Sequence, residues 1–131
     1  MRAIDLDKEY DRFVLWWAKR NLSAPPKIIL RGATGFVVHT GQVDVVAGWL
    51  YISGNVGFAE WIIANPAIAA THAAANALSV IFSFMSEFAK TQGVNVLMCG
   101  TQDKGSLGRF LTDRDWHACE GQPHQFLIKA L

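Results

Sequence analysis

The chain has 131 residues, of which 51% are hydrophobic and 18% are charged, and its formal net charge at pH 7 is +1. This length and composition predict one folded domain, residues 1–131, with a single core. A near-zero net charge without a stripe of Lys and Arg argues against a large surface for nucleic acid, and no apolar stretch is long enough to span a membrane. We therefore expect neither nucleic acid nor a membrane as a partner.

The cysteines and the beginning of the chain bear on its cellular setting. Cys99 and Cys119 are too few for a disulfide framework, and Cys99 ends an apolar run, which is typical of a buried strand cysteine. Charged residues between Arg2 and Lys8 interrupt the apolar segment that a signal peptide needs. The sequence thus predicts a cytoplasmic protein. Its histidines are scattered without metal-ligand spacing, so no metal site is predicted.

The first predicted helix covers residues 7–20. Its apolar residues recur at helical spacing and form one face: Tyr10, Phe13, Val14 and Trp17. Trp16 lies beside this face and is expected either to widen it or to anchor the edge of the helix. Asn21 and the prolines that follow it end the helix.

Three strands are predicted next, over residues 36–39, 43–52 and 57–64. Short turns of hairpin type connect them, so successive strands run antiparallel. The second strand is apolar on both faces apart from Asp44, which indicates a central strand covered on two sides.

A long helix follows, and its start allows two interpretations. Thr71 can cap a helix that runs to about Gln92, with Gly93 as the residue that ends it. Alternatively, Asn65 caps and Pro66 begins a helix of about 25 residues, which would remove the preceding loop. The break near Thr71 is favoured, since helices in globular proteins average three or four turns.

The rest of the chain alternates again. A buried strand over 94–99 lies parallel to the third strand, because a helix connects the two in a βαβ unit. A short helix over 104–113 and a hairpin of 116–120 with 125–129 close the chain. The predicted class is α+β, mixed α/β: a single central, mostly antiparallel sheet with one parallel βαβ pair and flanking helices.

The third strand, the short connection and the long helix form a natural cradle for an anionic phosphate. Free N–H groups and the positive end of the helix dipole point to the same place. This architecture predicts a nucleotide-like cofactor, although the glycines that usually let a backbone wrap a pyrophosphate are missing.

The order of elements resembles the GNAT superfamily of N-acetyltransferases over nearly the whole chain, as a single GNAT-like domain. Short stretches that are similar to the family's sequences lie on the long helix and before the closing hairpin: Ala77-Leu78, Glu87 to Lys90 followed by Gly93, and Arg109-Phe110. Asp115-Trp116 takes the place of the Gly-aromatic pair that usually follows in the family. The small size and plain N-terminus also resemble acetyltransferase-like proteins that phages encode.

The resemblance implies acetyl-CoA as the cofactor, bound where the third and fourth strands separate. Its pantetheine arm would pair with strand backbone at Ile62 and Ile63. The family's phosphate loop falls on residues 70–75, which implies contacts from Thr71, His72, Ala73, Ala74 and Ala75. Ala70 replaces the pattern's Gln or Arg, and Ala73 replaces its central Gly. Backbone N–H groups survive both changes, while the Cβ of Ala73 is expected to weaken the binding.

Glu60 is the candidate catalytic base. By strand alternation it shares a face with Phe58 and Ile62, so a carboxylate lies in an apolar row. Burial would raise its pKa and suit it to deprotonate an amine, directly or through water, and the resemblance implies a base on this strand. The structural alternative is a carboxylate paired with an Arg or Lys at a sheet edge.

A general acid is harder to place. In the family it is a Tyr on the short helix, and counting back from Trp116 puts Leu111, which has no proton to donate, at that position. Lys104 falls near the position where the family has an Asn. Tyr51, Ser106 or a water molecule could replace the missing acid.

Two hypotheses about function follow. In the first, the protein transfers acetyl from acetyl-CoA to an unidentified amine on a small molecule or a protein. In the second, it is a non-catalytic GNAT-like binding or structural module, for example a phage component, that has lost the cofactor loop. Ala70, Ala73 and Leu111 favour the second hypothesis. The high apolar content is compatible with a homodimer under either one.

Overall fold

The computed structural model describes residues 1–102, 105–119 and 124–131. In these ranges the strands are β1 (Arg2–Ala3), β2 (Thr34–Thr40), β3 (Val43–Ser53), β4 (Val56–Ala64), β5 (Val96–Gln102), β6 (His117–Cys119) and β7 (His124–Ala130). The helices are α1 (Leu6–Ala18), α2 (Lys27–Leu30), α3 (His72–Thr91) and α4 (Ser106–Thr112). Lys104 and Glu120, which belong to predicted elements, lie outside the described residues.

The described strands join one sheet, in the order β1-β2-β3-β4-β5-β7-β6. Neighbouring strands run antiparallel except β4 and β5, which are parallel. The parallel pair results from the α3 connection, since a strand that returns through a helix re-enters the sheet in the same direction. The predicted class, a mostly antiparallel sheet with one βαβ pair and flanking helices, is confirmed.

Two hydrophobic cores cover the two faces of the sheet. The first lies under α3 and α4 and includes Ile81, Met85 and Leu111. The second lies under α1 and α2 and includes Phe13, Trp17 and Trp49. Adjacent residues of β3 enter opposite cores, Val46 the first and Ala47 the second. The prediction of a central strand covered on two sides is therefore confirmed.

α1 is shorter than its predicted range of 7–20. The Asp5 side chain caps its start by accepting a hydrogen bond from the N–H of Lys8 at 3.4 Å, and the helix ends at Ala18. Asn21 then adopts a left-handed conformation with φ 56°, which turns the chain away. Trp16 is buried, as expected if it widens the apolar face of α1. β1 and α2 were not predicted, because elements of two and four residues carry no readable periodicity.

α3 begins at His72, after Thr71 as its cap. The Thr71 Oγ1 accepts a hydrogen bond from the N–H of Ala74 at 3.3 Å. Asn65 closes a separate turn, since its Oδ1 accepts from the N–H of Ala67 at 3.0 Å. The break near Thr71 is thus confirmed, and the continuous helix from Pro66 is wrong. Within the described residues, no helix is both long enough and apolar enough to cross a membrane.

Candidate functional site

The parallel strands β4 and β5 pair at one end only. Val56 to Phe58 align with Val96 to Met98, and the strands then continue to Ala64 and Gln102 without further pairing between them. Their diverging ends open a gap in the sheet. Two parallel strands that separate in this way leave room for an extended ligand between their edges.

A β-bulge in β4 shapes one side of this gap. Ala47 pairs with Ile63 and Trp49 pairs with Glu60, so Gly48 of β3 faces the two residues between them, Trp61 and Ile62. Trp61 lies in the left-handed region with φ 57°. This conformation is uncommon for a bulky residue, and strained residues of this kind cluster at functional sites.

The bulge corrects one prediction about Glu60. Simple alternation put Glu60 and Ile62 on one face, but the extra residue in β4 sends them to opposite faces. Trp49, directly across from Glu60, belongs to the second core, whereas Ile62 packs against the first. Strand alternation fails here because a bulge shifts the period by one residue. Ile63 is buried in the second core, so its side chain does not reach the gap.

Two cavities meet at the gap and together form what we call the groove. The first cavity has a volume of about 510 Å³ and lies between the end of α1 and β4, with Trp17, Leu22, Glu60 and Trp61 in its lining. The second, of about 360 Å³, lies at the start of α3. Both are lined by the same four residues, Arg20, Ile62, Ser106 and Leu107, so the groove passes through the sheet gap from the α1 side to the α3 side.

The start of α3 supplies the other end of the groove. Of the predicted cofactor contacts, Thr71, Ala74 and Ala75 line the second cavity, as does Ala70. His72 is exposed and Ala73 half-buried, and neither side chain is in the lining. The N–H groups of the first helical turn have no acceptor within the helix. An anion at this end of the groove would meet the positive end of the helix dipole.

Glu60 lies where the strands separate. Its Oε1 accepts a hydrogen bond from the N–H of Gly100 in β5 at 3.3 Å. Burial raises the pKa of the Glu60 carboxyl, and the Gly100 N–H opposes that shift. No ion pair between described residues includes Glu60, which disfavours the alternative of a carboxylate paired with a cation. A half-buried carboxyl with a raised pKa is suited to accept a proton.

The nearest thiol is not a nucleophile. Cys99 is 1% exposed, as expected for a strand cysteine, and burial together with the nearby Glu60 charge raises the pKa of its thiol far above the ordinary value. A thiol held in the protonated form is inert toward acyl groups. Among the described residues, no group of His, Cys, Asp and Glu could hold a metal ion.

The candidates for a general acid differ in whether they line the groove. Leu111 is buried in the first core. The Tyr51 hydroxyl donates to the carbonyl of Ile29 at 2.9 Å and accepts from the Trp61 indole at 3.1 Å, and Tyr51 is absent from the lining of both cavities. Ser106 begins α4 and lines both cavities. Of these candidates, Ser106 is therefore the one whose residue lines the groove.

Two features of the site were missed at the level of sequence. One feature of the sequence could have indicated the bulge: Gly48 is a glycine in the interior of the apolar strand β3. No feature of the sequence indicated Arg20, which lines both cavities, because its position depends on where α1 ends over β4.

Comparisons with known proteins identify the fold of this chain. By sequence, no known family profile and no curated protein matches the chain. Its structure is similar to an IAA acetyltransferase from Bacillus cereus, with a TM-score of 0.74 and 11% identity over 99% of this chain and 97% of that one. It is similar to the GNAT domain of S. lividans PAT, with a TM-score of 0.73 and 11% identity over 99% and 89%.

An acetyltransferase from Bacillus subtilis, solved in complex with CoA, gives a TM-score of 0.70 and 11% identity over 95% of this chain and 92% of that one. These structures cover nearly all of the chain at low identity. The chain therefore has the GNAT fold, and the resemblance inferred from the order of its elements is confirmed at the level of fold.

Proposed function

We propose that this protein binds acetyl-CoA in the groove and transfers its acetyl group to an amine. The proposal depends most on one observation: Glu60, a half-buried carboxylate, lies at the point where β4 and β5 separate. The acyltransferase-like fold and the similarity to a structure solved with CoA support the same general activity. We further propose that the protein acts in the cytoplasm.

The groove fits acetyl-CoA in shape and in charge. An extended pantetheine arm suits the gap between two strand edges, where Ile62 lines both cavities. The pyrophosphate suits the start of α3, where Thr71, Ala74 and Ala75 line the second cavity and the helix dipole has its positive end. Among the described residues, Arg20 is the charged side chain in the lining of the second cavity, and a guanidinium can pair with phosphate oxygens. Acetyl-CoA supplies a thioester as the acyl donor.

The chain's own groups would then handle the protons. Glu60 accepts a proton from the amine, either directly or through one water molecule, as the nitrogen bonds to the acetyl carbon. The carbon–sulfur bond breaks, and the leaving thiolate takes a proton from Ser106 or water. The proton that Glu60 accepted then replaces the one that Ser106 or water gave up. Backbone N–H groups of β4 beside the bulge polarise the carbonyl that is attacked.

The test of this proposal is product formation. The protein is incubated with acetyl-CoA and a panel of primary amines and short peptides, and free coenzyme A and acetylated amine are quantified by mass spectrometry. We expect the two products in equal amounts and a matched loss of both in Glu60→Gln. Coenzyme A binding without any acetylated product would overturn the transferase proposal.

That last result would support the second hypothesis, a GNAT-like module that binds but does not catalyse. Leu111 favours it, because a buried leucine takes the position of the family's acid. Ala70 and Ala73 favour it as well, since they replace residues of the phosphate loop. Such a module would act through a partner, for example as a phage component, and both this role and a homodimer remain predictions.

A further inference from the structure

The first cavity, at the α1 end of the groove, shows what the amine acceptor must resemble. If acetyl-CoA enters from the start of α3, as proposed above, the acceptor must enter from this opposite side. Of the described residues that line the first cavity, Glu60 and Arg20 carry a charge.

Two apolar side chains form the walls of this cavity while remaining partly uncovered. The Trp61 side chain is 37% exposed and that of Leu22 is 49% exposed. Leu22 is held in place by its N–H, which donates to the carbonyl of Trp17 at 3.0 Å. The buried Trp17 completes the apolar lining on the α1 side.

The Trp61 ring is fixed, and its polar group is already used. Its indole N–H donates to the Tyr51 hydroxyl at 3.1 Å, and that hydroxyl donates to the Ile29 carbonyl at 2.9 Å. The residue keeps a φ of 57°, which is strained for a bulky side chain. The fold thus holds the Trp61 ring rigidly at the edge of the first cavity. Because its indole N–H already donates to Tyr51, the ring has no polar group left for a ligand.

We infer that the acceptor is a monoamine that carries an aromatic or large aliphatic group. Its nitrogen lies at Glu60, and its apolar group lies between Trp61 and Leu22, which it covers from water. A polyamine is disfavoured, because its second ammonium ion would have to leave water for the apolar walls that Trp61 and Leu22 form. This inference rests on the proposed function. The competing possibility is that the Trp61 ring attracts a second cation by a cation–π contact.

The experiment compares 2-phenylethylamine, ethylamine and spermidine as acceptors in wild-type protein and in Trp61→Gly. Glycine adopts a φ of 57° without strain, so the variant keeps the bulge and loses only the ring; a thermal unfolding curve checks its folding. Trp61→Phe keeps an aromatic ring. Phe84→Ala is the matched control, since Phe84 is also 37% exposed but lies on α3, outside the lining of both cavities.

We expect kcat/KM of the wild type for 2-phenylethylamine to exceed that for ethylamine and spermidine at least tenfold, a common range for apolar pocket contacts. Trp61→Gly should lose most of this preference, and the loss should appear in KM more than in kcat. Trp61→Phe should retain much of the preference, and Phe84→Ala all of it. A wild-type preference for spermidine, or an unchanged preference in Trp61→Gly, would overturn the inference and leave the transferase proposal standing.

If the wild type acetylates none of the three amines, amine binding decides the inference, and the wider panel of amines and peptides decides the transferase proposal. In an NMR titration, 2-phenylethylamine should then shift the indole N–H resonance of Trp61 in the wild type, and spermidine should not. Equal shifts with both amines, or no shift with 2-phenylethylamine, would overturn the inference.

Discussion

The Glu60 carboxylate accepts a hydrogen bond from the backbone N–H of Gly100 at 3.3 Å, across the gap between β4 and β5. The two residues are 40 positions apart in sequence, and they meet just beyond the last paired residues, Phe58 and Met98. The contact holds a half-buried carboxyl at the point where β4 and β5 separate. This geometry is the reason for assigning Glu60 the role of base.

The first prediction concerns activity and pH. Because burial raises the pKa of Glu60, the wild-type rate should fall as pH is lowered through that raised pKa, where the carboxyl becomes protonated and can no longer accept a proton. Glu60→Gln should lower kcat roughly 100-fold or more, the usual contribution of a positioned base, and should lose the acidic limb of the pH–rate profile. An unchanged profile would reject Glu60 as the base.

The second prediction concerns stability and the same substitution. A carboxyl whose pKa is raised in the folded state binds more protons folded than unfolded, so its contribution to stability decreases as pH rises from its ordinary pKa through the raised one. Glu60→Gln removes this titration. The free energy of unfolding of the variant should therefore exceed that of the wild type at pH 7, and the difference should shrink at pH 4.

Urea unfolding at the two pH values measures that difference. Gln keeps a carbonyl oxygen that can accept from the Gly100 N–H, so the variant retains the hydrogen bond across the gap. A variant that is less stable than the wild type at pH 7 would contradict this prediction. It would show that the Glu60 carboxylate stabilises the folded protein.

The third prediction concerns the ion-pair cluster of Glu9. Its carboxylate accepts from Arg2 at 2.7 Å and from Arg12 at 2.7 Å, and the Arg2 hydrogen bond in particular lowers the pKa of Glu9 to about 2. A lowered pKa gives stability that is fully present above the ordinary value and is lost as pH falls toward about 2. Glu9→Gln should lower the free energy of unfolding at pH 7 by about 1 kcal/mol, since both arginines are partly in water.

Glu87→Gln is the control for Glu9. Glu87 pairs with Lys90 at 3.0 Å, but both side chains are largely exposed, so its loss should change the free energy of unfolding by less than about 0.5 kcal/mol. Denaturant titrations at pH 7 and pH 3 compare the two variants. Equal effects of both substitutions at pH 7 would contradict a structural role for the Glu9 cluster.

The fourth prediction concerns Gly48, opposite the bulge. A Cβ there would overlap the Ile62 side chain and lie 3.0 Å from the Met85 side chain. Gly48→Ala should therefore destabilise the protein by about 1 kcal/mol, the low end of the range for overpacking, because both contacts are with the flexible ends of side chains. It should also weaken acetyl-CoA binding, because Ile62 lines both cavities.

Gly32→Ala is its matched control, since an added Cβ there makes only ordinary contacts at 3.6 and 3.7 Å. Thermal unfolding and calorimetric titration with acetyl-CoA compare the two alanine variants. Gly48→Ala with wild-type stability and wild-type affinity would mean that the bulge does not depend on the missing side chain.

Sequence analysis predicted the order of the larger elements because periodicity is local. The apolar face of α1, the two-sided β3 and the Thr71 cap all depend on residues close together in the chain. The position of β7 between β5 and β6 depends on pairing of residues distant in sequence, which periodicity does not specify.

The candidate site was predictable only in part for the same reason. Glu60 was found because a carboxylate in an apolar strand is conspicuous. The bulge was missed because no common preference places a Trp at φ 57°, and it moved Ile62 to the other face. Arg20 was missed because its role arises only when α1 packs against β4. The roles assigned to Thr71 and Ala73 to Ala75 as cofactor contacts stay predictions.

The most direct test of the account is thermal unfolding of the wild-type protein with and without millimolar acetyl-CoA. A ligand at about 100 times its Kd adds about 2.7 kcal/mol to the free energy of unfolding, which for a domain of this size raises Tm on the order of 10 °C. The account predicts such an increase, and a smaller one for pantetheine, which lacks the phosphates. An unchanged Tm with acetyl-CoA would contradict the central claim that the groove binds it.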